Sequence, residues 1–153
     1  MVRVHERLQT SAPAMAALIL SFDQRQKSRQ RARLDNGEEV GLNLPHGTVL
    51  RGGDRLRADD GRVIEVRAAS EPVSTAASLD PIQLTRAAYH LGNRHVAVQI
   101  GAGWVRYLQD HVLDDMVRAL GLTLTQEMIP FEPEAGAYQI HTHTPSAPHP
   151  HHG

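Results

Sequence analysis

The 153-residue sequence contains no cysteine, six aromatic residues, no long apolar segment and no excess of either charge. The absence of cysteine excludes disulfide scaffolds, cysteine-ligated zinc and iron–sulfur sites, and thiol nucleophiles. Sixteen Lys and Arg against 17 Asp and Glu give no indication of nucleic-acid binding through bulk positive charge. The best apolar run, residues 12–20, is shorter than the ~18 residues of a membrane span and is interrupted by Pro13. We therefore expect a cytoplasmic protein without a membrane partner.

Histidine is the residue that the sequence has in excess, and its distribution is uneven. Two of the ten histidines fall in the first 70 residues and eight in the remaining 83. Charge is divided at the same point. The first 70 residues carry 12 Lys and Arg against nine Asp and Glu, a net charge of +3, whereas the rest carry four against eight, a net charge of −4. The two asymmetries together predict two modules with different functions.

Short strands separated by Gly and Asp turns predict a small all-β domain over residues 1–71, including a strand at residues 48–50. Residues 25–33 carry a cation at every second position, which would place five basic side chains on one strand face. The five are Arg25, Lys27, Arg29, Arg31 and Arg33. Two interpretations of this face stay open. It could dock RNA or an acidic partner, or it could be a solvated edge strand whose charges prevent aggregation.

Residues 72–139 show strand and helix patterns in the order β-α-β-β-α-β, which predicts a ferredoxin-like domain and an α+β fold class overall. Asp80 followed by Pro81 marks the start of the first helix, and Gly92 is expected to end it as a left-handed cap.

The second predicted helix follows Asp110. Its apolar spacing predicts that Val112 faces inward, whereas Asp114 is expected on a solvated face. Residues 140–153 are rich in His and Pro with almost no apolar bulk, and they predict a disordered tail.

The tail is the clearest candidate for metal chemistry, because neutral imidazole binds nickel, copper, zinc and iron. Several imidazoles on one flexible chain raise the local ligand concentration and can share one ion. We prefer this interpretation to a purification tag or an inert tail. The five candidate ligands are His141, His143, His149, His151 and His152.

Three further histidines are candidate ligands. His90, in the last turn of the first predicted helix, could bind a metal or cap backbone carbonyls. His95 follows a Gly-Asn turn at an element edge and is a candidate metal anchor, and His111 is expected to face solvent. No nucleotide-binding glycine loop, zinc-protease motif, serine-hydrolase motif or nucleophile–base pair is present, so we predict no catalytic or organic-cofactor site and no enzyme activity.

The run Tyr-His-Leu-Gly-Asn-Arg-His at residues 89–95, with Gln99 four residues later, resembles the signature of the UreE family. Members of that family are urease accessory proteins that act as nickel metallochaperones. Further segments resemble the family in the same order along the chain: residues 27–33, 41–47, 110–116 and 130–138.

The resemblance implies a homodimer with an N-terminal domain of peptide-binding type and a C-terminal ferredoxin-like metal-binding domain. It implies that His95 of both subunits forms a nickel site at the dimer interface, which the tail histidines complete or feed. Nickel would then pass to the urease accessory GTPase and to the complex of apo-urease with its accessory proteins. Some members carry extra histidines where only His111 stands here, so we keep His111 as a possible ligand of a second site.

The choice of nickel rests on the resemblance. Imidazole affinity alone would favour Cu²⁺ over Ni²⁺ and also allows Zn²⁺. The alternative function is a non-catalytic protein- or RNA-binding module that uses the basic face of residues 25–33, with the histidines incidental.

Overall fold

The computed structural model describes residues 1–136, which form two units, each built on one sheet. The first unit contains β1 (Val2–Leu8), β2 (Ala16–Leu20), α1 (Phe22–Arg25), β3 (Arg29–Arg33), β4 (Glu39–Asn43), β5 (Arg55–Ala58) and β6 (Val63–Ala68). The second contains β7 (Ser70–Ala77), α2 (Pro81–Asn93), β8 (Gln99–Gly101), β9 (Trp104–Leu108), α3 (His111–Ala119) and β10 (Thr123–Pro130). The predicted two-domain α+β organisation is confirmed.

The first unit is a six-stranded sheet in the order β2-β6-β5-β1-β4-β3. The pairs β1/β4 and β2/β6 are parallel, and the other neighbours are antiparallel. Alternate apolar residues of these strands point to one core, where each fully buried Val, Leu or Ile side chain contributes about 1.5–3 kcal/mol. The core includes Val4, Leu18, Leu20, Val40, Leu42, Leu50, Leu56, Ile64 and Val66.

The second unit is a four-stranded antiparallel sheet in the order β10-β7-β9-β8. Asp80 and Asp110 cap α2 and α3, as predicted, by accepting hydrogen bonds from backbone N–H groups of the first turn. Both helices pack on one face of the sheet. The buried contact is formed by Ala76, Val105 and Tyr107 of the sheet with Ala87, Leu91, Leu113 and Val117 of the helices.

The predicted five-cation strand face at residues 25–33 is wrong. Ser21 and Gln24 form a reciprocal capping box that starts α1, and this short helix ends at Arg25. The Arg25 side chain is fully buried, and Lys27 lies in the turn before β3. Only Arg29, Arg31 and Arg33 share a strand face, so the period-two pattern holds over β3 alone.

Other local expectations also differ from the structure. Residues 48–50 form no strand, because Leu50 instead donates its N–H to the carbonyl of Arg25, while β5 was not predicted. Gly92 does not end α2, which continues to Asn93. Val112, in the first turn of α3, is half exposed instead of facing inward.

Asp114 lies on the buried face of α3 instead of on a solvated face. It is 3% exposed and accepts hydrogen bonds from the Tyr107 hydroxyl at 2.7 Å and from Gln126 Nε2 at 3.0 Å. Burial alone would raise the pKa of Asp114, but the bonds from Tyr107 and Gln126 hold that pKa below its usual value. Burial of the Tyr107 hydroxyl and its hydrogen bond to Asp114 raise the pKa of Tyr107.

The predicted tail, residues 140–153, and the last residues of the predicted second domain lie outside the described residues. Within residues 1–136, no helix has the length and apolar character needed to cross a membrane.

Candidate metal site

His95 is the residue that ends the helical geometry of α2. Its backbone adopts φ +58°, the only positive φ of a non-glycine residue within residues 1–136. The N–H groups of His95 and Val96 donate to the carbonyls of Gly92 at 3.0 Å and Leu91 at 3.3 Å, which closes the last turn. A left-handed conformation costs a non-glycine residue about 1 kcal/mol, so this position would favour glycine on stability grounds. Its occupation by a histidine suggests a role for the side chain.

The segment that leads into the tail runs beside the residues that follow His95. The N–H of Glu134 donates to the carbonyl of Val98 at 2.7 Å, and the N–H of Glu132 donates to Gln99 Oε1 at 3.0 Å. Glu134 and Glu132 are therefore bonded to Val98 and Gln99, which follow His95 by three and four residues. The tail histidines follow this segment in the sequence.

Arg25 holds the same segment from the side of the first unit. Its guanidinium donates to the carbonyl of Phe131, to the carboxylate of Glu132 and, at 3.3 Å, to the carbonyl of Leu20. Burial lowers the pKa of Arg25 and the charge of Glu132 opposes that shift, and the guanidinium stays protonated. The carboxylate of Glu132 also accepts from the N–H of Gly52 at 3.0 Å. Both units thus hold residues 131–134 in place.

The other candidate histidines occupy separate surroundings. His90 is half-buried in the last turns of α2, with its ring 5.1 Å from the ring of Tyr89 in an edge-to-face arrangement. His111 is the first residue of α3 and is exposed, as predicted. His141, His143, His149, His151 and His152 lie outside the described residues. Within residues 1–136 of one chain, no three His, Asp or Glu side chains come together as a metal-binding group.

Exposed apolar side chains lie on α2 and on the strand that follows His95. Ile82 and Tyr89 are 63% and 66% exposed, and their spacing of seven residues places them on one side of the helix. Ile100, in β8, is 55% exposed. Of these three residues, Ile82 lies at the start of α2, Tyr89 lies six residues before His95, and Ile100 lies five residues after it.

Glu132, Glu134 and Gln99 were not predicted as residues that position the site. Glu132 and Glu134 act here through their backbone N–H groups, and Gln99 accepts through its side-chain amide. Backbone hydrogen bonds do not depend on residue type, so they leave no pattern in the sequence. The prolines on both sides of Phe131–Glu132, Pro130 and Pro133, were the available signal that this stretch has a fixed extended path.

Comparisons with known proteins agree with the resemblance seen at residues 89–95. The profile described as UreE urease accessory protein, N-terminal domain, matches residues 2–69, and the corresponding C-terminal domain profile matches residues 71–153. A urease accessory protein UreE of Alkalilimnicola ehrlichii is 59% identical over 138 residues, which cover 90% of this chain and 85% of the relative. Those of Pseudomonas putida strain GB-1 and Enterobacter sp. strain 638 are 57% identical (86% and 77% covered) and 51% identical (94% and 95% covered).

Proposed function

Because the chain belongs to the UreE family of urease accessory proteins, which serves urease maturation, we propose that it is a nickel carrier delivering Ni²⁺ to the urease activation complex. Its receivers are the urease accessory GTPase and the complex of apo-urease with its accessory proteins. The carrier is cytoplasmic and has no catalytic activity of its own. Its second unit is ferredoxin-like, which is supported by two helices on one face of a sheet ordered β10-β7-β9-β8.

The attachment of the segment 131–136 to residues that closely follow His95 is the observation that carries this proposal. His95 has a backbone fixed by two hydrogen bonds, and residues 131–136 are bound to Val98 and Gln99. His141 follows Gly136 by five positions in the sequence. Tethering several imidazoles to one chain raises their effective concentration at the anchor, which is the contribution that we propose for the tail histidines.

A second copy of the chain supplies the other anchor. In a two-fold symmetric dimer the same residue approaches the axis from both sides, so a single His95 per chain provides two imidazoles. The exposed Ile82, Tyr89 and Ile100 favour this homodimer, because burying large apolar side chains stabilises association.

The donor set suits a carrier more than a permanent store. Two His95 imidazoles leave coordination positions of Ni²⁺ open, and the tail ligands His141, His143, His149, His151 and His152 fill and vacate them. Exchange of such ligands allows the ion to move to a protein with a more complete site. His90 and His111 are secondary candidates. Imidazole also binds Cu²⁺ and Zn²⁺, so both ions compete with Ni²⁺ in vitro.

The delivery function is tested with the nickel-loaded protein as the only nickel source for apo-urease. The assay uses an extract that contains the other accessory proteins but lacks this one, with a chelator that removes free Ni²⁺. The loaded wild-type chain is expected to restore urease activity. The variant His95→Gly should restore at least tenfold less, and His46→Ala, which changes an exposed histidine of the first unit, serves as the matched control. Equal activation by wild type and His95→Gly would contradict the proposal.

A further inference from the structure

β3 is an edge strand whose outer side carries unpaired backbone groups. It forms one end of the first sheet and pairs with β4 only. The N–H of Leu44 donates to the carbonyl of Ser28 at 2.8 Å, and the N–H of Leu34 donates to the carbonyl of Glu38 at 2.9 Å. In an antiparallel ladder the bonded positions alternate, so residues 28, 30, 32 and 34 face β4. The backbone N–H and carbonyl groups of residues 29, 31 and 33 consequently point to the free edge.

The same three residues are arginines with exposed side chains on the outer face of the sheet. Arg33 lies opposite Glu39 and pairs with it at 3.5 Å. Arg29 lies opposite the neutral Asn43, and Arg31 lies opposite Gly41, which has no side chain. Within residues 1–136, neither Arg29 nor Arg31 forms an ion pair. Two guanidinium groups are thus left for an external anion.

The surface beside these arginines is concave and positive. A cavity of about 350 Å³ is bordered by Arg29, Arg31, Arg3 and His5, and by Met1, whose side chain lies against Gly41. Gly41 lies on β4, between Arg3 of β1 on one side and Arg31 of β3 on the other. No carboxylate is among the described residues that line this cavity.

We propose that the free edge of β3 docks an acidic segment of a partner protein, which adds to the first sheet as a further strand. The segment hydrogen-bonds to the outward backbone groups of residues 29, 31 and 33, and its alternate carboxylates pair with Arg29 and Arg31. This interaction is independent of the metal site and goes beyond the proposed nickel function.

Two observations select an acidic peptide over other occupants. A second copy of β3 is disfavoured, because strand pairing would bring arginines against arginines. Single-stranded RNA is disfavoured, because RNA-binding sheets stack bases on aromatic side chains, and no Phe, Tyr or Trp of residues 1–136 lines the cavity. An edge of alternating N–H and carbonyl groups is complementary to a peptide backbone.

The proposal is tested by fluorescence anisotropy on the full chain without nickel. The probe is a labelled nine-residue peptide that alternates Glu and Val, and two control peptides replace each Glu with Gln or the central Val with Pro. We expect binding of the acidic peptide, with a Kd at least tenfold lower than that of either control. The double variant Arg29→Gln/Arg31→Gln should raise the Kd at least tenfold. Arg57→Gln, an exposed arginine on β5, should change it less than threefold.

Amide hydrogen exchange distinguishes strand addition from charge attraction. Added peptide should protect the amides of residues 31 and 33, which face the free edge, and leave those of residues 30 and 32, which already bond to β4, unchanged. No binding of the acidic peptide would overturn the proposal. Equal binding of the Pro-containing peptide would do the same, as would preferential binding of a labelled oligouridylate through Arg29 and Arg31.

Discussion

Arg25 and Glu132 form an ion pair that joins the first unit to the segment following β10. The arginine is fully buried, whereas the side chain of its partner is 31% exposed. The same guanidinium also binds the carbonyl of Phe131, and the ring of Phe131 packs edge-to-face on Phe22, with centroids 5.6 Å apart. These contacts fix the chain just before the residues that carry the tail histidines. They connect the stability of the first unit with the position of the proposed nickel ligands.

Replacing Arg25 tests this connection. Arg25→Met should lower the free energy of unfolding by about 2–4 kcal/mol, because the carbonyls of Leu20 and Phe131 lose a buried donor and Glu132 keeps only the more distant Arg51 as a charge partner. Urea denaturation measures the change. Lys27→Met is the matched control, since Lys27 is exposed and its pair with Asp23 is worth at most about 0.5 kcal/mol. Equal effects of the two substitutions would show that Arg25 has no special role.

The buried Asp114 makes stability depend on acid pH. Because the pKa of Asp114 in the folded protein lies below its usual value of 3.8, the ionised carboxylate contributes stability that is fully present above pH 3.8. That contribution is lost as the pH falls through the folded-state pKa. Asp114→Asn should cost about 1–3 kcal/mol at pH 7, since Tyr107 and Gln126 donate to different carboxylate oxygens and the amide replaces one of these with an NH₂ group.

The difference between wild type and Asp114→Asn should shrink as the pH is lowered from 6 to 3, in a series of urea denaturation curves. Comparing the two proteins at each pH removes the contributions of other carboxylates. A difference that stays constant, or that grows in acid, would exclude Asp114 as the source of this pH dependence.

Alanine substitution should change the stability in opposite directions at two glycines, one inside α2 and one just after α3. Gly121 has φ +94°, and an added Cβ would lie 2.6 Å from Gln83 Nε2, so Gly121→Ala should destabilise by about 1–2 kcal/mol. Gly92 lies inside α2 with open space around it, so Gly92→Ala should stabilise by about 0.5–1 kcal/mol. Thermal unfolding of both variants checks the signs. A destabilising Gly92→Ala would mean that Gly92 has a role beyond the helix.

The strand and helix order of the second unit could be predicted because its signals are local. Asp80 and Asp110 cap the helices that their sequence positions indicate, and the apolar spacing identifies most of the buried positions. The end of α2 could not be predicted, since glycine is the usual left-handed residue but His95 takes that conformation here. The left-handed backbone conformation of His95 can be recognised only from its φ angle in the structure.

Long-range contacts account for the errors at residues 25–33 and at Asp114. A strand pattern and a short capped helix are both compatible with the alternating charges. The Ser21–Gln24 capping box starts the helix, and Glu132 and Phe131, more than 100 residues away, bind the buried Arg25. The sequence predicts Asp114 as a surface residue, because its buried hydrogen-bond partner, Tyr107, lies on β9 and cannot be identified from the helix pattern. Of the candidate metal ligands, only His90, His95 and His111 fall in the described residues, so the predicted set remains a hypothesis.

Deleting the tail tests how much its histidines contribute to nickel binding beyond His95. Deletion of residues 141–153 should reduce the number of Ni²⁺ ions bound per chain, because five imidazoles are lost. The unfolding transition should not change, since Arg25, Glu132 and Glu134 all stay in place. Equilibrium dialysis measures the stoichiometry. An unchanged nickel count would remove the tail from the proposed mechanism.

The central claim, that His95 anchors the nickel ion, is tested most directly by calorimetric titration of the full chain with Ni²⁺. His95→Gly is the best variant, because glycine adopts φ +58° without strain and the fold should be kept or slightly stabilised. We predict that wild type shows a tightest site at one Ni²⁺ per two chains, and that His95→Gly loses this site while His46→Ala retains it. An unchanged tightest site in His95→Gly would contradict the account.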